Sequence, residues 1–190
     1  MSVSKDLVRQ AWSIHEGFRD EKFVVRPSIP ILYFGNFPGY SRSEKKVITV
    51  GLNPSFREFQ KLGDPTSDVE FRFREASELL KQSIMEEGFC EKYLRILDHY
   101  FEENPFRRWF NSLAPLLRGL GCGFRADAGS EGCVLHTDLC SPLATNPTWS
   151  RLGDLDRHRL LETGMDLWTK FVSTLRLEIR LLPIIYLVGK

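Results

Sequence analysis

The sequence KKVITVGLNPSFREF, from Lys45 to Phe59, joins an apolar run to a turn that carries several polar residues. The run Lys46–Val50 predicts a strand that is apolar on both faces, as in a central strand covered on both sides. Gly51 allows a sharp turn or the close approach of a ligand. Asn53 can cap the next turn, and Pro54 fixes φ at a first helical position. The segment therefore predicts a buried strand whose end holds polar groups in place.

A second apolar run, Cys133–Leu139, predicts another buried strand, and its end carries the polar sequence HTDLCSPLATNPTW. Because side chains alternate along a strand, His136 and Asp138 are predicted to share one face, with Thr137 on the other. A buried His and Asp need partners, so they indicate either a satisfied pair that caps the sheet or a functional site. Ser141 begins a Ser-Pro loop whose backbone N–H groups are candidates for holding phosphates.

The rest of the chain alternates predicted helices with short strands. Apolar strands separated by helices indicate a parallel sheet with helices on both faces. Ligands of such folds bind at the carboxyl ends of the strands, so both polar strand ends are predicted to open onto one edge of the sheet. The other predicted strands are Ile31–Gly35 and Leu182–Val188. The predicted helices are Ser4–Phe18, Pro65–Glu87, Glu91–Phe101, a helix from Pro105 to about Gly119 that is kinked or broken at Pro115, and Asp154–Leu175.

Composition is that of an ordinary globular protein. Of the 190 residues, 42% are hydrophobic and 27% are charged. The length suffices for one domain over 1–190, which begins with a helical segment over 1–26. The formal net charge of +1 gives no global sign of a polyanionic partner. No apolar stretch is long enough to span a membrane and the N-terminus lacks the apolar core of a signal peptide. We therefore expect a cytoplasmic protein that does not enter a membrane.

The four cysteines are irregularly spaced and include no Cys-x-x-Cys pair. This pattern favours buried thiols over a zinc or iron–sulfur site, and no metal is expected. The residues are Cys90, Cys122, Cys133 and Cys140.

The ordered set of motifs resembles the uracil-DNA glycosylase superfamily. Gly51-Leu52-Asn53-Pro54-Ser55 is similar to its first motif, in the style of the mismatch-specific and single-strand-selective branches. CVLHTDLCSPLAT resembles its second strand, and PIIYLVG near the C-terminus resembles its third. The matches are short, keep the order of the family and span 31–190. The resemblance implies an α/β fold, a three-layer α/β/α sandwich with a central, mainly parallel sheet whose final strand is missing.

The resemblance also implies roles for individual residues. Asn53 matches the residue that orients the attacking water, and Asp138 matches the residue that reads the base. Phe59, with Phe56 as second choice, would stack on the flipped base, and core packing is the alternative for either ring. No cofactor or metal is implied, and DNA is the implied partner. The remaining candidate substrate-binding residues are Gly51, Leu52, Pro54, Ser55, His136 and Ser141.

The chemistry of N-glycosidic bond cleavage suits these residue types. The reaction builds positive charge on the sugar and negative charge on the departing base, and a neutral Asn can hold a water without acting as a strong base. Asp138 departs from the family, in which Asn is usual. An ionised Asp only accepts hydrogen bonds, so it would repel a uracil anion and suit a base that presents a donor, unless it is protonated. We expect a flipped, deaminated or mismatched base in DNA as the substrate.

The chain ends at Lys190, whereas the family continues into a further strand and a motif that often carries a His. His136 cannot replace that His, because it lies on a different predicted strand. We expect either a truncated chain or a family member without the last segment. The apolar strand Ile184–Val188 would then be a sheet edge, which predicts self-association or poor solubility.

The leading hypothesis is a DNA glycosylase-like hydrolase, and the sequence leaves two alternatives open. One is a catalytically inactive relative with the same fold that binds a nucleotide, a nucleic acid or a protein partner. The other is an unrelated parallel α/β domain in which GLNPS is only a capped turn. The basic residues lie among acidic ones, which favours a solvated surface for most of them; Arg151, close after the Asn-Pro loop, is the first candidate to test for contact with a phosphate.

Overall fold

The computed structural model describes residues 2–59, 72–73, 75–103, 105–125 and 132–175 of the chain. Within these ranges the fold is mixed α/β, with six helices and one three-stranded parallel sheet. No helix in these ranges is long and apolar enough to cross a membrane. The elements are α1 (Lys5–Phe18), α2 (Phe37–Arg42), β1 (Val47–Gly51), α3 (Ala76–Leu79), α4 (Phe89–Asp98), α5 (Arg107–Gly119), β2 (Cys122–Gly123), β3 (Gly132–Asp138) and α6 (Asp154–Ser173).

The sheet has the order β1-β3-β2, and its long contact is the parallel pairing of β1 with β3. The register runs from Val47 opposite Val134 to Gly51 opposite Asp138. All seven residues of β3 are buried, as predicted for an apolar strand. The short strand β2 was not predicted, because two residues carry no periodic pattern.

The predicted strand Ile31–Gly35 is reduced to one antiparallel bridge to β3. Phe34 N–H donates to the His136 carbonyl oxygen at 2.8 Å, and His136 N–H donates back at 3.0 Å. On either side of the bridge the backbone bonds to loops and helix ends instead, as when Ile31 N–H donates to the Pro142 carbonyl oxygen. Gly35, with φ of 118°, then turns the chain away from the sheet.

β1 is less buried than its sequence predicts. Among the described strands it lies at the edge of the sheet, and Val50 is 47% exposed. The prediction of a central strand covered on both sides therefore does not hold for Val50. The predicted strand Leu182–Val188 lies outside the described residues, and the self-association predicted from it stays a prediction.

The predicted helix Pro65–Glu87 is wrong in its described part. Only Ala76–Leu79 is helical there, and the chain continues in turns until α4 begins. Local side-chain bonds compete with the helix: Ser83 N–H donates to Glu86 Oε1 at 2.8 Å, and Met85 N–H donates to Ser83 Oγ at 3.3 Å. The remainder of the predicted helix lies largely outside the described residues.

Three other helices agree better with their sequence patterns. Ser4 caps α1 as predicted, because its Oγ accepts from Leu7 N–H at 3.3 Å. α6 is capped by Gly153 rather than by Asp154, which lies in its first turn where a negative charge is favoured. α5 continues through Pro115 without a break. Its last turns bury Leu117 in the cluster with Val134 of β3, and this burial offsets the hydrogen bond that proline cannot donate.

All four cysteines are buried and none forms a disulfide within the described ranges. This confirms the prediction of buried thiols. Burial raises the pKa of the Cys140 thiol to about 11, so the group is a neutral, inert part of the packing near β3 at physiological pH.

Gly164 brings α6 against the loop that follows β3. A Cβ at this position would overlap the carbonyl group of Cys140 and approach Ser141 Cα to 2.8 Å. Backbone atoms cannot rotate away as a side chain can, so the helix and the loop approach this closely only with glycine at the crossing. Gly164 therefore fixes the position of the loop at the end of β3.

We predict that Gly164→Ala lowers the free energy of unfolding by about 2 kcal/mol or more, because overpacking against backbone outweighs the better helix propensity of alanine. Urea unfolding followed by tryptophan fluorescence measures the change. Gly17→Ala is the matched control: no atom lies within 4 Å of its Cβ position in α1. That control is expected to gain up to ~1 kcal/mol. Equal effects of both substitutions would contradict the close crossing.

Candidate functional site

The two polar strand ends meet at one edge of the sheet, as the sequence predicted. Beyond the strands, the turn after β1 and the loop after β3 remain paired through their backbones. Leu139 N–H donates to the Gly51 carbonyl oxygen at 3.0 Å, and Cys140 N–H donates to that of Leu52 at 2.8 Å. The turn and the loop therefore form one continuous structure.

Asn53 fastens the turn to the loop through its side-chain amide. Its Nδ2 donates to Thr145 Oγ1 at 2.8 Å, to the Pro54 carbonyl oxygen at 3.1 Å and to the Leu143 carbonyl oxygen at 3.3 Å. Carbonyl oxygens only accept, so they orient the amide with its nitrogen towards the loop. No donor within the described residues bonds to Oδ1, which remains available as an acceptor.

A row of side chains on one face of β3 changes from apolar to polar towards the end of the strand. His136 lies between the rings of Phe34 and Phe110, with ring centroids at 5.4 and 5.1 Å. Its Nδ1 lies 2.8 Å from Thr49 Oγ1 on β1, and its Nε2 lies 3.7 Å from Asp138 Oδ1. The predicted shared face of His136 and Asp138 is confirmed.

The carboxylate of Asp138 lies over Gly51. A Cβ on Gly51 would overlap Asp138 Oδ1 and lie 3.2 Å from His136 Nε2. The Asp138 side chain is only 4% exposed, and no hydrogen-bond donor reaches it from the part of the chain that the structure describes. A buried carboxylate without donors is costly, and Asp138 retains the capacity to accept a hydrogen bond.

A second buried carboxyl group, Glu58, was not anticipated. The Tyr100 hydroxyl donates to Glu58 Oε2 at 2.5 Å, and Phe106 N–H donates to that hydroxyl oxygen at 2.8 Å. Burial raises the pKa of Glu58 to about 7, and the negative charge of Asp138 adds to this effect. The Tyr100 hydrogen bond and the Arg72 guanidinium act in the opposite direction. Two buried carboxyl groups thus interact electrostatically at this end of the sheet.

Glu58 was missed because its segment has the composition of a charged surface tail. A 3₁₀ turn over Phe56–Glu58, capped by Ser55 Oγ accepting from Arg57 N–H at 3.2 Å, directs Glu58 inward. Glu58 is 3% exposed. The only signal in the sequence is its position between two aromatic residues.

The structure moves the aromatic candidate from Phe59 to Phe56. Phe59 is fully buried and stacks on Phe73 with ring centroids 5.6 Å apart, so it belongs to the core and does not present a face to a base. Phe56 is half-buried, and the Arg57 guanidinium lies 5.7 Å from its ring centroid. Among the two rings considered, only Phe56 is near the surface.

Several backbone N–H groups of the loop after β3 form hydrogen bonds within the protein. Leu143 N–H donates to Ser141 Oγ at 3.1 Å, and Thr145 N–H donates to the Pro54 carbonyl oxygen at 3.4 Å. Asn146 N–H donates to the carbonyl oxygen of residue 23 at 2.9 Å. These three N–H groups are therefore not available to a phosphate, and the prediction that the loop holds phosphates stays a prediction for its other N–H groups. Ser141 Oγ caps the backbone of the loop.

The remaining candidates divide between surface and core. Leu52 is 52% exposed, and Pro54 is buried beneath the turn. Arg151 is exposed and has no ion pair within the described residues. No group of three or more His, Cys, Asp and Glu side chains in the described part of the chain is placed to hold a metal ion.

Comparison of the chain with protein-family models, with curated proteins and with solved structures found no match.

We predict that Asn53→Asp lowers the free energy of unfolding by roughly 2–3 kcal/mol, because a carboxylate would face carbonyl oxygens in place of a donor. Chemical denaturation at neutral pH measures the loss. Asn146→Asp, at an exposed position of the same loop, introduces the same charge and is expected to change stability little. A similar small effect at both positions would contradict the fastening role of Asn53.

The free energy of unfolding is expected to fall as the pH rises, because folding raises the pKa of the Glu58 carboxyl group. In the folded protein its carboxyl keeps a proton up to about pH 7, whereas in the unfolded chain it ionises near 4.5. The folded state binds more protons over this interval, so stability is greatest below it and declines as pH rises through about 7. Glu58→Gln, which retains an acceptor for Tyr100, should remove roughly 3 kcal/mol of this decline.

Urea midpoints measured at several pH values from about 5 to about 8 test this prediction. The exposed Glu87→Gln is the control and should follow the wild-type curve. If Glu58→Gln also follows it, Glu58 does not carry the proton.

Proposed function

We propose that the protein is a DNA glycosylase-like hydrolase, which cleaves the N-glycosidic bond of a flipped, deaminated or mismatched base in DNA. The observation that carries the proposal is the pairing of Gly51 with Asp138 in adjacent parallel strands. This pairing brings the Gly-Leu-Asn-Pro-Ser turn and the buried carboxylate to one edge of the sheet. A uracil-DNA glycosylase-like three-layer sandwich is the fold that goes with this function.

Asn53 is proposed to hold the attacking water. Its amide nitrogen is engaged by the loop, which fixes Oδ1 in position to accept a hydrogen bond from the water. An amide does not take a proton at neutral pH, so it orients the water and stabilises the positive charge that develops on the sugar through its dipole.

Asp138 is proposed to read the base. Its buried carboxylate has no donor within the described residues and is matched by a base edge that presents an N–H group. Glu58 limits the negative charge beside it: while Glu58 is protonated, Asp138 is the only one of the two carboxyl groups that can carry a charge. The negative charge that develops on the departing base is then repelled less, and activity should decline above about pH 7.

A catalytically inactive relative that binds a nucleotide, a nucleic acid or a protein partner is the second candidate. Two observations favour it. Phe59, expected to stack on the base, is part of the core, and three of the loop N–H groups expected to hold phosphates are engaged internally.

The deciding assay incubates the protein with single- and double-stranded oligonucleotides that carry uracil, hypoxanthine, xanthine or a mismatch, followed by alkaline cleavage at abasic sites. We expect Asp138→Asn to shift the ratio of rates towards uracil by about tenfold or more, because Asn supplies a donor where Asp only accepts. The exposed Asp6→Asn is the control and should keep the wild-type ratio. Abasic product from no substrate would contradict hydrolase activity and favour the inactive relative.

A further inference from the structure

A cavity of about 930 Å³ lies apart from the candidate site. One wall is formed by α1, a second by residues 80–89, and one end by residues 26–28. It shares no lining residue with the turn after β1 or the loop after β3. Its volume lies within the range of sites that bind small organic molecules, about 300–1,000 Å³.

The lining is apolar at the base and at the mouth. Trp12 and Phe89 are buried and pack edge to face, with ring centroids 5.1 Å apart. Leu80 and Ile84 are half-buried, and Met85 is 77% exposed. Such a surface favours a flat apolar body, because aromatic rings and a flexible thioether pack well against a ring system.

The charged lining is mainly basic. Among the described residues of the lining, Glu16 is the only acidic one, against three arginines. Each arginine has a carboxylate partner: Arg9 pairs with Asp6, Arg26 with Asp20, and Arg19 with Glu16 at 2.8 Å. The side chains of these partners are exposed by 91%, 86% and 53% respectively. Exposed ion pairs contribute little to stability, so an anion in the cavity can take the place of these carboxylates. The arginines are Arg9, Arg19 and Arg26.

Two lining residues each carry a buried polar atom that forms no hydrogen bond within the described part of the chain. The atoms are Trp12 Nε1 and His15 Nδ1, and the second lies 3.8 Å from Glu16 Oε1. Burial lowers the pKa of His15, so the imidazole is neutral at physiological pH. An indole N–H can only donate, and because Trp12 Nε1 is buried, an occupant would have to shift the ring before its acceptor could bond to this atom.

We propose that this cavity binds a small aromatic organic anion, in which a planar ring system is joined to a phosphate, sulfonate or carboxylate group. The ring lies against Trp12, Ile84 and Met85, and the anionic group is held by the arginines at the rim. The proposal is independent of hydrolase activity, because it concerns different residues.

Anilinonaphthalene sulfonate, which combines a fluorescent ring system with one anionic group, is the first probe. We expect saturable binding to one site of the folded protein. The double substitution Arg19→Gln and Arg26→Gln should raise the Kd about tenfold, while the pair Arg108→Gln and Arg118→Gln, which removes the same charge from exposed positions of α5, should leave it unchanged.

A second matched pair of variants tests the apolar mouth of the cavity. Met85→Glu places a negative charge where the ring is expected and should weaken binding at least about fivefold. Leu155→Glu makes the same kind of change at a position that is 72% exposed in α6, and it should have no effect. Thermal unfolding of each variant shows that it is folded.

Adenosine monophosphate, adenosine and inorganic phosphate separate the contributions of ring and charge in calorimetric titrations. The nucleotide should bind more tightly than either part alone and should compete with the dye. The indole N–H signal of Trp12, assigned in NMR spectra through Trp12→Phe, should shift on binding.

Three outcomes would overturn the proposal. The first is the absence of saturable binding of the dye and of the nucleotide. The second is equal loss of affinity in the cavity variants and their controls. The third is a concentration-dependent dimer that displaces the dye, which would assign the cavity to a second copy of the chain.

Discussion

The parallel pairing of β1 with β3 is the contact on which the rest of the structure depends. It places Gly51 opposite Asp138 and continues past the strand ends, where Asn53 joins the turn to the loop. A shift by one residue would turn Asp138 to the other face of the sheet. Since β3 is buried along its whole length, such a shift would also exchange its two buried faces and is therefore strongly disfavoured.

The polar groups at this edge lie among aromatic side chains. Tyr100, which bonds to Glu58, packs edge to face on Phe34 at 4.7 Å, and Phe34 also contacts His136. A surrounding of this kind excludes water and strengthens electrostatic interactions between the buried groups. The raised pKa of Glu58 follows from the same exclusion of water. Packing and chemistry at the site therefore have one physical origin.

Local patterns predicted some parts of the fold and missed others for identifiable reasons. The alternation along β3 correctly placed His136 and Asp138 on one face, because a strand has only two faces. The predicted helix through Glu87 failed since Ser83 and Glu86 form bonds with nearby backbone that compete with the helix. The inward turn of Glu58 was not visible either, because a short 3₁₀ turn has no sequence period.

The sequence by itself determined β1 and β3, their polar ends and the position of these ends at one edge of a parallel sheet, because these follow from local periodicity and from the chirality of crossover connections. Only the tertiary structure decided which side chains work there. It directed Glu58 inward and Phe59 into the core, and it turned the Asn53 amide towards the loop. Burial and hydrogen-bond direction depend on neighbours that are distant in the sequence, and no local pattern contains them.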